Sequence, residues 1–118
     1  MRHGKKGKKF HRIRGERAAF LRNLSLNLIR RGRMETTEAR AKAVRPLVER
    51  AVTIARQGTL AARRLLIRRL HNRQAVERLL REVGPRYANR PGGYLRIVKS
   101  AKARKRDGSR LAIIEFVE

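Results

Sequence analysis

Tyr94–Val117 reads YLRIVKSAKARKRDGSRLAIIEFV, and its two aliphatic runs around a basic centre decide between an all-helical chain and one with a sheet. Tyr94–Lys99 and Leu111–Val117 are rich in the branched and aromatic residues that fit a half-buried strand. The linker Ser100–Arg110 carries Lys102, Arg104, Lys105 and Arg106, with a turn signal at Asp107-Gly108. Two strands joined by a basic finger are therefore expected at the C-terminal end.

Upstream the period changes. From about Glu16, Leu21, Leu24 and Leu28 recur at helical spacing beside Phe20 and Ile29. Gly32 after Arg30-Arg31 is a helix stop with cations at the negative end of the dipole. Arg33–Thr37 is short and holds two Thr, which predicts a brief strand. Thr37 then caps a helix with Ala41, Val44, Val48, Ala51 and Ala55 on one face, running to Gly58. Pro46 inside it predicts a kink or distorted start, not two helices. Thr59 caps a third helix holding Leu66 and Leu70. Asn72 caps a fourth, with Val76, Leu79, Leu80 and Val83 facing inward, and Gly84-Pro85 ends it. The expectation is an α+β fold: about four helices packed on a small two- to three-stranded sheet, with a basic N-terminal arm (residues 1–14) and one globular domain (residues 15–118) bearing the finger.

Charge selects the partner class. The 118 residues include 33 Lys or Arg against 9 Asp or Glu, a formal charge of +24. Self-repulsion of that size opposes a compact state and is relieved by a polyanion. The excess is densest at the start, where residues 1–33 carry 12 basic and one acidic side chain. Apolar residues make up 41%, enough for a core, and no run is long enough to span a membrane. The basic start is followed by no apolar stretch, so no secretory signal is expected. The absence of Cys excludes disulfides and Cys-based zinc sites.

Three segments are candidates for contact with nucleic acid. Met1–Arg14 offers Arg2, His3, Lys5, Lys6, Lys8, Lys9, His11, Arg12 and Arg14, a segment too polar to fold alone. The finger offers Lys102, Arg104, Lys105 and Arg106, with Arg96 and Lys99 leading into it. Between helices and sheet lies Arg86-Tyr87-Ala88-Asn89-Arg90-Pro91-Gly92-Gly93-Tyr94. There Arg86 and Arg90 would reach phosphates, Tyr87 and Tyr94 would stack on bases, and Gly92 and Gly93 would let backbone approach RNA. The competing reading of the rings is that both plug the edge of the core. Arg63, Arg64, Arg68 and Arg69 of the third helix could form a basic stripe, but an amphipathic helix normally has a charged outer face, so this signal is weak. His3, His11 and His71 have no metal-site spacing, and the scattered carboxylates give no nuclease or hydrolase constellation. No enzymatic activity, cofactor, metal or small-molecule substrate is expected.

The order of these pieces resembles the family of the bacterial large-subunit ribosomal protein numbered seventeen. The resemblance rests on Met1-Arg2-His3, Phe20-Leu21-Arg22-Asn23-Leu24, Thr36-Thr37 followed by Ala41-Lys42, Gly84-Pro85-Arg86-Tyr87, Arg90-Pro91-Gly92-Gly93-Tyr94-Leu95-Arg96-Ile97, and an apolar final strand ending at Glu118. It adds Arg22, Thr36, Thr37 and Lys42 to the contact set. Glu16 and Glu35 stay outside that set because a carboxylate opposes phosphate. The resemblance implies a cytoplasmic structural protein of the 50S subunit that binds 23S ribosomal RNA near the polypeptide exit tunnel and contacts the ribosomal protein numbered thirty-two. On physics alone, a nucleoid-type DNA-binding protein and a membrane-active cationic protein remain open. The first lacks a clear helix-turn-helix, and the second lacks Trp anchors and a strongly apolar face.

Overall fold

A computed structural model describes residue 10 and residues 12–118 of the chain. Helix α1 spans Arg14–Arg31, two residues earlier than its apolar periodicity announces, with Glu16 in its first turn and Arg30 and Arg31 in its last. It stops at Gly32, whose φ of 81° is open to glycine at no steric cost and lets its N–H reach the Leu28 carbonyl. Strand β1 (Arg33–Thr37) follows directly.

Helix α2 spans Glu38–Ala55 and is one element through the exposed Pro46. The Thr37 hydroxyl accepts from the Arg40 N–H at 3.3 Å, satisfying a donor that the first turn leaves free. Its buried stripe is Ala41, Val44, Val48, Ala51, Val52 and Ala55. Helix α3 (Leu60–Leu70) and helix α4 (Arg73–Arg78) start the same way, with Thr59 Oγ1 accepting from Ala62 N at 3.1 Å and Asn72 Oδ1 from Ala75 N at 3.0 Å. Each such cap stabilises its helix by roughly 1 kcal/mol.

Gly84-Pro85 does not end the fourth helix. After α4 the chain makes a π-helical turn, Leu79–Val83, and a further helical turn, Gly84–Arg86. Leu79 and Val83 are both buried through this wider turn. Pro85 sits at the start of the last turn, where no backbone donor is required. Gly84 serves packing: a β-carbon there would stand 2.9 Å from the Ala55 carbonyl oxygen. The glycine lets this turn lie against the C-terminal end of α2.

The sheet is three-stranded and antiparallel in the order β1-β3-β2, with β2 at Leu95–Ala103 and β3 at Arg110–Phe116. Leu95 pairs with Phe116 and Ile97 with Ile114 on one side, Thr37 with Leu111 on the other. Strand β2 runs four residues beyond the expected Lys99 and β3 begins one residue before Leu111, so the finger outside the ladder shrinks to Arg104–Ser109, with a register irregularity between Lys99 and Ala103. Alternation along β3 points Ala112, Ile114 and Phe116 into the core. There they join Leu28, Ile29, Val44, Val48, Leu66 and Val76. Burying each large aliphatic side chain contributes roughly 1.5–3 kcal/mol before entropy is counted.

Candidate nucleic-acid interface

The sheet sets two basic regions apart. Strand β2 has nine residues, which separates the finger from the loop before the strand by roughly 25 Å at about 3.3 Å per residue.

At the finger end, Phe10, Thr37, Arg40, Arg104 and Arg110 line one shallow depression. The first described residue of the arm thus lies beside the base of the finger and the start of α2. Arg12 does not extend as a free cation. Its guanidinium lies 3.9 Å from the centre of the Phe20 ring and donates to the Phe10 carbonyl at 2.8 Å. Arg40 approaches the same ring at 5.1 Å, and the Phe10 and Phe20 rings are 5.5 Å apart. Cation–π contacts of this kind contribute about 0.5–1 kcal/mol at exposed sites and fix where the arm leaves the body. Arg14 belongs to α1, not to the arm. Arg2, His3, Lys5, Lys6, Lys8, Lys9 and His11 lie outside the described residues.

In the finger, Lys102, Lys105 and Arg106 are exposed. Arg104 is tied down: its guanidinium pairs with Asp107 and donates to Ser109 Oγ at 3.3 Å. Asp107 also accepts from the Ser109 N–H at 3.1 Å. The Arg104 hydrogen bond, then those from Ser109, hold the Asp107 carboxyl well below the usual carboxylate range, and the same pairing raises the Arg104 guanidinium. The one Asp of the chain therefore shapes the tip that presents Lys105 and Arg106.

At the loop end, Arg86 and Arg90 are exposed, and Arg90 Nε donates to the Gly92 carbonyl at 3.2 Å. Gly93 holds a φ of 63°, a left-handed conformation that a turn requires and a side chain would strain. The expectation that Tyr87 and Tyr94 stack on bases is overturned. Tyr94 is 0% exposed and Tyr87 2%, so neither ring has a free face. Their centres are 5.3 Å apart, and Phe116 lies against Tyr87. The Tyr94 hydroxyl accepts from Arg56 Nη1 at 3.0 Å and lies 3.2 Å from Thr53 Oγ1, while the Tyr87 hydroxyl donates to the Val117 carbonyl. Arg56 Nη2 donates to the Ala88 carbonyl at 3.0 Å. The two rings anchor the loop and the last strand to the C-terminal half of α2. Aromatic rings with a polar tip suit core and interface alike, so their position had to come from tertiary structure.

Several other expected contacts already hold a carboxylate. Arg96 Nε lies 2.7 Å from Glu115, which Arg33 also approaches at 3.7 Å across the sheet. Lys42 and Lys99 both address Glu38, at 2.9 and 3.7 Å. The Lys42 hydrogen bond, followed by the Lys42, Lys99 and Arg110 charges, lowers the Glu38 carboxyl. Thr37 spends its hydroxyl on the cap of α2, and Thr36 pairs with Ala112 in the sheet.

Nine Lys and Arg side chains pair with a carboxylate within 4 Å; the other nineteen among the described residues do not. Some of them gather where no sequence pattern placed them. Arg14, Arg17 and Arg22 of α1 meet Arg50 of α2 and Arg69 of α3 around a groove floored by Leu21, Leu47 and Leu70. Arg14, Arg17 and Arg22 share one helix, and Arg50 and Arg69 join them only through helix packing. Among the described residues no group of three His, Cys, Asp or Glu is placed to hold a metal, and no helix is long and apolar enough to cross a membrane.

Fold and surface together define a class: a small, strongly basic α+β protein that presents many cations without a carboxylate partner among the described residues. The family model described as Ribosomal protein L17 matches residues 20–117. The large ribosomal subunit protein bL17 of Gemmatimonas aurantiaca is 50% identical over 117 residues, covering 99% of this chain and 98% of the relative. That of Persephonella marina is 50% identical over 119 residues, covering 100% and 96%, and that of Thermus thermophilus is 42% identical over the whole of both chains. The chain belongs to the ribosomal protein L17 family, a structural constituent of the large subunit in the cytoplasmic ribosome and not an enzyme.

Proposed function

We propose that the protein binds 23S ribosomal RNA within the 50S subunit and stabilises its tertiary fold near the polypeptide exit tunnel, beside the ribosomal protein numbered thirty-two. The observation that carries this reading is the set of nineteen cations without a carboxylate partner among the described residues, among them Lys102, Lys105 and Arg106 at the finger and Arg86 and Arg90 before β2. Phosphates supply the missing counter-charge, and releasing their condensed ions drives binding. Residues 15–118 act as one body that docks by shape. The arm before α1, Lys102, Lys105 and Arg106 reach between RNA helices, while Arg86 and Arg90 hold the other end. Lys42, Arg96, Lys99 and Arg104 contribute after exchanging a carboxylate for a phosphate. Contacts fall mostly on phosphate and sugar, without base-sequence readout.

Binding of the full chain to 23S ribosomal RNA, measured from low to moderate salt, tests the RNA reading. If six to ten phosphates are engaged, affinity falls on the order of 10³–10⁵-fold. A flat response, or equal preference for duplex DNA, overturns it. Cross-linking mass spectrometry on intact large subunits tests the location: links to the protein numbered thirty-two and to proteins at the tunnel exit support it, and links confined to a distant face refute it.

A further inference from the structure

We infer that the arginine-lined groove between α1, α2 and α3 seats a single unpaired nucleotide of ribosomal RNA, its base on the leucine floor and its phosphates on the guanidiniums. The inference deepens the RNA-binding reading above and rests on it.

The groove is open to solvent on one side and holds about 560 Å³. Five arginines rim it, and no carboxylate does. None of the five pairs with a carboxylate within 4 Å among the described residues. Five like charges around one opening repel each other unless an anion lies between them. The fold does not need them there, because Arg14, Arg50 and Arg69 are exposed and bury nothing. Charge alone would suit a flat phosphate track. The floor says more: Leu47 is 38% exposed, and Leu21 is only partly covered. Ser25, the buried polar residue of this wall, is already satisfied, its hydroxyl donating to the Leu21 carbonyl at 2.9 Å. An occupant must therefore combine a flat apolar body with strong anionic acceptors. A splayed-out nucleotide does, since its base offers two apolar faces and its phosphates match the planar fork of arginine. The chain's own first nine residues carry Arg2, Lys5, Lys6, Lys8 and Lys9 with no acid, so charge excludes them as occupants, and a second copy fails for the same reason.

The test uses large subunits assembled in cells with the full-length chain carrying a benzophenone side chain at Leu47 or, separately, at Lys105. An RNA adduct from position 47 that maps to one unpaired nucleotide supports the inference. A protein adduct or none at 47, with an RNA adduct at 105, overturns it and leaves the RNA-binding reading intact. No RNA adduct at either position overturns both. Subunits carrying R50Q together with R69Q give a second measurement. The groove nucleotide should gain dimethyl sulfate reactivity several-fold while its neighbours stay unchanged. An unchanged pattern in subunits that contain the variant overturns the inference. Both substituted residues are exposed, so the body keeps its fold.

Discussion

Gly84 approaches Ala55 so closely that a methyl group on its α-carbon would meet the Ala55 carbonyl oxygen at 2.9 Å and that of Leu79 at 3.1 Å. Both neighbours are backbone atoms, which yield only if helices shift. Gly84 has an ordinary helical φ of −56°, so backbone strain plays no part and space alone decides. Gly84→Ala should therefore destabilise the protein despite alanine's better helix propensity, by about 1–2 kcal/mol once that gain offsets part of the overpacking. The urea midpoint should fall with an unchanged slope. A variant as stable as the parent would mean that the last helical turn can slide away from α2.

The buried tyrosines separate packing from RNA contact. Tyr94→Phe keeps the ring but removes an acceptor for Arg56 and a partner for Thr53. Arg56 Nε is buried without a partner among the described residues, so the guanidinium has little to fall back on. The loss should be about 1–3 kcal/mol in urea unfolding, with the salt dependence of RNA binding unchanged. If the variant keeps its stability but binds RNA less tightly, the hydroxyl serves RNA and not the core.

That pair also marks where the sequence stops being informative. The starts of α2, α3 and α4 were readable because a cap is a local transaction: Thr37, Thr59 and Asn72 each satisfy an amide three residues away. Strand identity in Tyr94–Val117 was readable because alternation is local too. Tyr87, Tyr94 and Gly84 carried signals with two meanings, and the deciding neighbours, Arg56, Val117 and Ala55, lie some thirty or more positions away in the chain. The π-turn at Leu79–Val83 has no signature of its own in the sequence. The charge of the interface was legible in composition, but the pairing of Arg96 with Glu115 and of Lys99 with Glu38 depended on register and on α2 crossing the sheet.

The finger tip should resist acid. Folding lowers the Asp107 carboxyl below its unfolded value of about 3.9. Its contribution to the turn is thus fully present above that value and disappears only as pH falls through the lower folded one. The Ser109 amide resonance, whose N–H donates to Asp107, should hold its position through pH values near 4 and move only in stronger acid. Asp107→Asn should remove the feature and loosen the tip at neutral pH. A Ser109 titration centred on the ordinary carboxylate value would mean that Arg104 does not hold Asp107 in solution.

Unpaired and paired cations should differ in what their loss does to RNA binding, although each carries one charge. Lys105 and Arg106 are exposed and have no carboxylate within 4 Å among the described residues, whereas Arg33 and Arg96 share Glu115. Engaging a phosphate from the first pair releases counterions with nothing to break. From the second, it must first free a carboxylate that then faces the RNA. Lys105→Gln with Arg106→Gln should lower the slope of log affinity against log salt by about 1 per charge. Arg33→Gln with Arg96→Gln makes the same change in net charge and should alter the slope by clearly less, while leaving Glu115 uncompensated on the sheet. Equal effects from the two double variants would mean that overall charge, not the placement of free cations, sets RNA affinity.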